Sequence, residues 1–104
     1  AVWLKGLQEQ GYRVSLIFLW LDNVELAIER VKERVRLGGH DIPEDTIRRR
    51  YSRGLGNLFD LYIPIADAWR IFDSSRKIPI EVVRFTEDDG ETVFDKELWI
   101  KLRN

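Results

Sequence analysis

The run RVSLIFLWL, Arg13 to Leu21, limits what this chain can fold into more than any other stretch. It is almost continuously apolar and β-prone, which is the pattern of a strand covered on both faces, as in a parallel sheet. Such a strand needs neighbours. Parallel neighbours also need a long crossover, so the residues after Leu21 have to supply one.

They do so with two helices, predicted over 23–37 and 43–62 and joined by Gly38-Gly39-His40. Asp22 and Glu25 are spaced as a capping box for the first, and Gly38 sits where a left-handed terminator belongs. Val24, Ala27, Ile28, Val31 and Val35 recur at helical spacing and form its apolar face. The second begins near Pro43, with Glu44 and Asp45 in its first turn favouring the positive end of the helix dipole. Its predicted apolar face is Ile47, Tyr51, Leu55, Leu58, Phe59 and Tyr62.

The charges on these helices do not balance locally. Arg48 and Arg49 each have an acid four residues earlier, Glu44 and Asp45, whereas Arg50 and Arg53 have none. Arg34 has no acid at three or four residues' distance, and Arg30 has only Glu33. Arg30 and Arg34 also repel each other at i,i+4 unless something anionic lies over them. Guanidinium groups suit phosphate oxygens, so four under-partnered arginines around a glycine hinge point to a phosphate grip. The pattern leaves a second reading open, a solvated helix face whose partners come from other segments. His40, the only histidine, either caps the first helix's carbonyls, touches a phosphate, or is simply exposed.

Around this pair, residues 1–10 read as the end of a helix that stops at Gly11 and packs through Val2, Trp3 and Leu7. Trp69–Phe72 reads as a short strand reached by a right-handed crossover, and Asp73-Ser74-Ser75 as a turn at its carboxyl end, the edge where open α/β sheets bind ligands. Residues 79–85 and 91–94 are further strand candidates around a polar turn at 87–90. A last helix over 95–102 is capped by Asp95, with Leu98 and Trp99 inward. Asp67 is expected to cap an element or pair with an arginine, and Asn57 to be a helix-surface amide. The tryptophans read as core. There is no repeat or linker, so residues 1–104 form one domain piece.

Seventeen basic residues against 18 acidic ones leave a net charge of −1, so nucleic acid is not attracted globally and any anion site is local. The absence of cysteine excludes disulfides and thiolate chemistry. Val14–Leu21 is too short to span a bilayer and no leader opens the chain, which is compatible with a cytoplasmic home and no membrane partner.

The run RVKERVRLGGHDIPEDTIRRRYSRGLGNLFDLYIPIADAWRIFDSS, Arg30 to Ser75, resembles the C-terminal half of the zeta-toxin-like P-loop kinases, a group also labelled predicted ABC-type ATPases. GYRVSLIFLWLDNVELAIERV and VFDKELW extend the likeness over nearly the whole chain. The fold it implies is α/β: the C-terminal part of a P-loop kinase-like domain, with an open, mostly parallel sheet and a helical lid at about 23–62. The activity it implies is ATP-dependent phosphotransfer. Arg50 and Arg53 would be catalytic, and Arg30, Arg34 and His40 would contact the nucleotide. The acceptor would be a small molecule such as UDP-N-acetylglucosamine, and an antitoxin protein a further partner. The family's middle asparagine in Asp-Asn-Ser is Ser74 here, which speaks for a plain turn. Nothing matches G-x-x-x-x-G-K-[ST], so the phosphate loop, its Mg2+ ligand and the family's catalytic aspartate are expected in an N-terminal half outside this chain. On this reading the chain alone is inactive. Two non-kinase readings remain: a basic helix pair that binds RNA or an acidic protein, and an interaction fragment that completes a split enzyme.

Overall fold

A computed structural model describes the backbone of residues 2–103 and the side chains of residues 5–103. Helix α1 (Val2–Glu9) precedes strand β1 (Ser15–Trp20); helices α2 (Val24–Arg36) and α3 (Glu44–Asn57) follow. A single wide helical turn (Leu58–Tyr62) and a tight one (Ile63–Ile65) lead into β2 (Ala68–Asp73). Then come β3 (Ile80–Thr86), β4 (Gly90–Val93) and α4 (Lys96–Arg103). The Val2 and Trp3 packing expected of α1 lies outside the described side chains.

The strands form one open sheet in the order β1-β2-β3-β4. β1 and β2 are parallel, in register from Ser15 opposite Ala68 to Trp20 opposite Asp73. The other two pairings are antiparallel, so within this chain the sheet is mixed and not mostly parallel. The cause is connection length. β2 and β3, and β3 and β4, are joined by short turns, and only the α2–α3 segment is long enough for a crossover.

The end of α3, the wide turn after it and α4 pack on one face of that sheet. Trp69, Ile71 and Val83 point into a core closed by Leu58 below α3 and by Trp99 and Leu102 of α4. Trp69, Phe59 and Trp99 meet with ring centroids 5.7–5.8 Å apart. The expected capping of α4 holds, because Asp95 Oδ1 accepts from the Leu98 N–H at 3.1 Å. The opposite face stays open, which corrects the expectation that β1 is buried on both sides. Its residues alternate, with Ile17 65% and Leu19 57% exposed, because no described element lies over that face.

On the open face the charges organise themselves. Glu81 accepts from Arg70 and from Arg84, each through Nε and a terminal nitrogen. The two guanidiniums lie over the rings of Phe72 and Phe94. The Arg70 hydrogen bond and then that of Arg84 hold the Glu81 carboxyl at about 2, well below the usual range.

Asp67 does not pair with an arginine as its main contact. Its carboxylate accepts from the Val14 N–H at 2.6 Å while its own N–H donates to the Val14 carbonyl at 2.8 Å. The Val14 N–H chiefly, and the Gln8 amide after it, hold its pKa below the ordinary value. This reciprocal pair fixes where the parallel strands begin.

Candidate functional site

α2 begins one residue later than the capping box implies. Asn23 is extended, with φ −150° and ψ 162°, and its side-chain oxygen accepts from the Leu26 N–H. The backbone N–H of Asp22 donates instead to Ser75 Oγ at 2.8 Å. The C-terminal expectation holds. Gly38 has φ +96°, and the N–H groups of Gly38 and Gly39 return to the carbonyls of Val35 and Arg34, the double closure of a Schellman end. Gly39 is needed for a different reason: a Cβ there would stand 2.9 Å from the Arg34 carbonyl oxygen. Two adjacent glycines thus reverse the chain tightly enough to lay α3 beside α2.

A cleft of about 730 Å3 opens between these helices and the carboxyl ends of β1 and β2. Arg30 and Arg34 of α2 and Arg50 of α3 line it, together with Ser74. The rest is largely apolar, contributed by Phe18 and Leu21 from the β1 side, Val31 and Leu37 from α2, and Ile42 and Ile47 from the α3 side. Arg53 and His40 do not line the cleft; both are exposed, Arg53 on α3 and His40 in the turn.

The three arginines differ in what holds them. Arg30 reaches across to the end of β2 and donates to the Ser74 carbonyl at 2.7 Å and toward Ser74 Oγ at 3.5 Å. That contact ties α2 to the residue that follows β2. Glu33, its only near acid, instead pairs with Arg36. Among the described residues Arg34 and Arg50 have no carboxylate partner. Arg48 pairs with Glu44 as expected and also with Glu25 of α2. Arg49 and Asp45 form no ion pair, contrary to expectation, and Arg49 is exposed.

Tyr51 completes the inner wall. Its hydroxyl donates to the Leu21 carbonyl at 2.8 Å, and burial, reinforced by Asp22 and Glu25, raises its pKa and keeps it a donor. The predicted burial of α3's apolar face fades toward its end. Ile47 and Leu58 are buried, but Tyr62 is 37% exposed because the backbone widens at Leu58–Tyr62, where the Ile63 N–H returns to the Leu58 carbonyl. A smaller cavity of about 360 Å3 lies beside Trp20, lined by Asp22, Asp73, Asp95, Glu97, Arg76 and Lys101 among others. Among the described residues no group of His, Cys, Asp and Glu is arranged to hold a metal ion.

Auditing local charge singled out Arg30, Arg34, Arg50 and Arg53 alike, of which the first three line the cleft. It missed the tie between Arg30 and Ser74, which joins residues 44 apart and leaves no local signal.

An uncharacterized protein of Haemophilus influenzae is 40% identical over 48 residues, which cover 46% of this chain and 34% of that protein. The matched stretch thus spans about a third of that relative's length. No family model matches the chain, and no solved structure matches it. No described helix is long and apolar enough to cross a membrane.

Proposed function

We propose that this chain is the lid and sheet-edge portion of a P-loop-kinase-like, ATP-dependent phosphotransferase, and that its helix pair grips phosphate. One observation carries the reading. Arg34 and Arg50, from opposite helices, line a single cleft at the carboxyl ends of two parallel strands, and neither has a carboxylate partner among the described residues. Bound ATP would supply the transferable phosphoryl group. Arg34 and Arg50 donate N–H bonds to phosphate oxygens and offset charge as it develops there, while Arg30 holds α2 in position through Ser74. Arg53 and His40, outside the cleft, are second in line as contacts. These residues fit the anionic phosphates and supply no cage for Mg2+, which on this reading belongs to residues N-terminal to the chain, as does the phosphate loop.

The test is phosphate transfer by the full open reading frame, with and without UDP-N-acetylglucosamine. Turnover that collapses on Arg34→Ala or Arg50→Ala supports the assignment. Absence of nucleotide turnover, together with salt-sensitive RNA binding by the chain itself, sinks it in favour of a basic binding module.

A further inference from the structure

The arginines explain where an anion sits and leave most of the cleft unexplained. In a volume of about 730 Å3, the polar groups at hand are few and several are already committed. Arg30 is spent on the Ser74 carbonyl, and the Tyr51 hydroxyl on the Leu21 carbonyl, so Tyr51 offers its ring. Glu33 is paired with Arg36. Arg34 and Arg50 remain as strong donors. Facing them are Val31, Leu37, Ile42 and Ile47, and Leu37 stands 80% exposed at the rim.

We infer that the cleft binds an organic phosphate whose body is apolar or aromatic, with the phosphate on Arg34 and Arg50 and the body against Val31, Leu37, Ile42 and Ile47. Against this apolar wall a polyhydroxylated body is disfavoured relative to an apolar one, because each hydroxyl taken from water needs a partner and the wall has few to give. An apolar body gains on entry: roughly 60 Å2 of buried apolar surface is enough for a tenfold gain in affinity. Charge complementarity fixes one end of the ligand and apolar complementarity the other. The inference rests on the reading of Arg34 and Arg50 as phosphate ligands, and adds the chemistry of the group that the phosphate is attached to.

Calorimetric titration of the chain with 1-naphthyl phosphate, glucose 6-phosphate, inorganic phosphate and 1-naphthol tests it. 1-Naphthyl phosphate is expected to bind about tenfold or more tighter than each of the other three. Leu37→Ser, at an exposed rim position, should weaken the aryl phosphate severalfold and leave inorganic phosphate unchanged. Arg34→Ala combined with Arg50→Ala should abolish both. Equal or tighter binding of glucose 6-phosphate overturns the inference, as does 1-naphthol binding as tightly as its ester, or no binding by any of the four. The outcome is separable from that of the kinase reading. Aryl-phosphate binding without ATP turnover by the longer protein ends the kinase reading alone, and turnover without aryl discrimination ends this inference alone.

Discussion

The half of the molecule formed by β2, β3, β4 and α4 and the half formed by α2 and α3 handle their side chains in opposite ways. In the first, Ile71, Val82 and Val83 are at most 1% exposed. Glu81 there holds two arginines, and Glu91 lies 3.9 Å from Arg103 and accepts the Trp99 indole N–H at 3.0 Å. In the second, α2 and α3 bury one residue each, Ile28 and Ile47, and leave Arg34 and Arg50 without counter-ions. Close packing and matched charge stabilise a fold. Unmatched charge beside a cavity weakens it slightly and has a chemical use when an anion arrives.

If the phosphotransferase proposal holds, the largest effect that would separate the two halves is catalytic: in the longer protein, Arg34→Ala or Arg50→Ala should lower phosphate transfer by about a thousandfold while leaving stability within about 0.5 kcal/mol. An equal loss from Arg53→Ala, outside the cleft, would erase the distinction between the exposed arginines that line the cleft and the one that does not. Next comes Ile71→Ala, expected to cost about 3 kcal/mol in urea unfolding, with phosphate binding retained wherever the chain is still folded. A loss below about 1 kcal/mol would mean that the sheet half is not the stable one. Gly38→Ala, at φ +96°, should cost about 1 kcal/mol and disturb the cleft, since it strains the turn that sets α3 against α2.

The smallest effect is in acid. The folded-state pKa of Glu81 lies near 2 against an ordinary 4.5, so its contribution is fully present above about 4.5. That contribution is lost progressively as pH falls toward 2. Glu81→Gln should flatten the acid limb of a stability-against-pH curve. An unchanged limb would show that the Arg70–Glu81–Arg84 cluster, exposed on its arginine side, adds nothing measurable.

Features set by neighbours in sequence were legible. The β1 run, the Gly38 terminator and the Asp95 cap each depend on a few adjacent residues, and Arg30, Arg34, Arg50 and Arg53 stood out alike because helical charge pairing is local, with no local signal for which of them line the cleft. What escaped was set from a distance. The Asp22 N–H, expected to take part in a local capping box, goes to Ser75, 53 residues away. The carboxylate of Asp67 goes to a backbone N–H 53 residues earlier. The mostly parallel sheet was implied by the resemblance, and within this chain the short connections after β2 make the other two pairings antiparallel. Exposure of Ile17 and Leu19 could not be read from composition, since an edge strand open on one face and a central strand carry the same residues.

The reciprocal contact between Val14 and Asp67 also orders events in time. β2, β3 and β4 meet through short connections, whereas β1 joins β2 only after the whole α2–α3 segment has been gathered between them. Loop-closure entropy falls on that last pairing. The hairpin sheet with α4 is therefore expected to assemble first and β1 to dock late, so the walls of the cleft come together only at the end of folding.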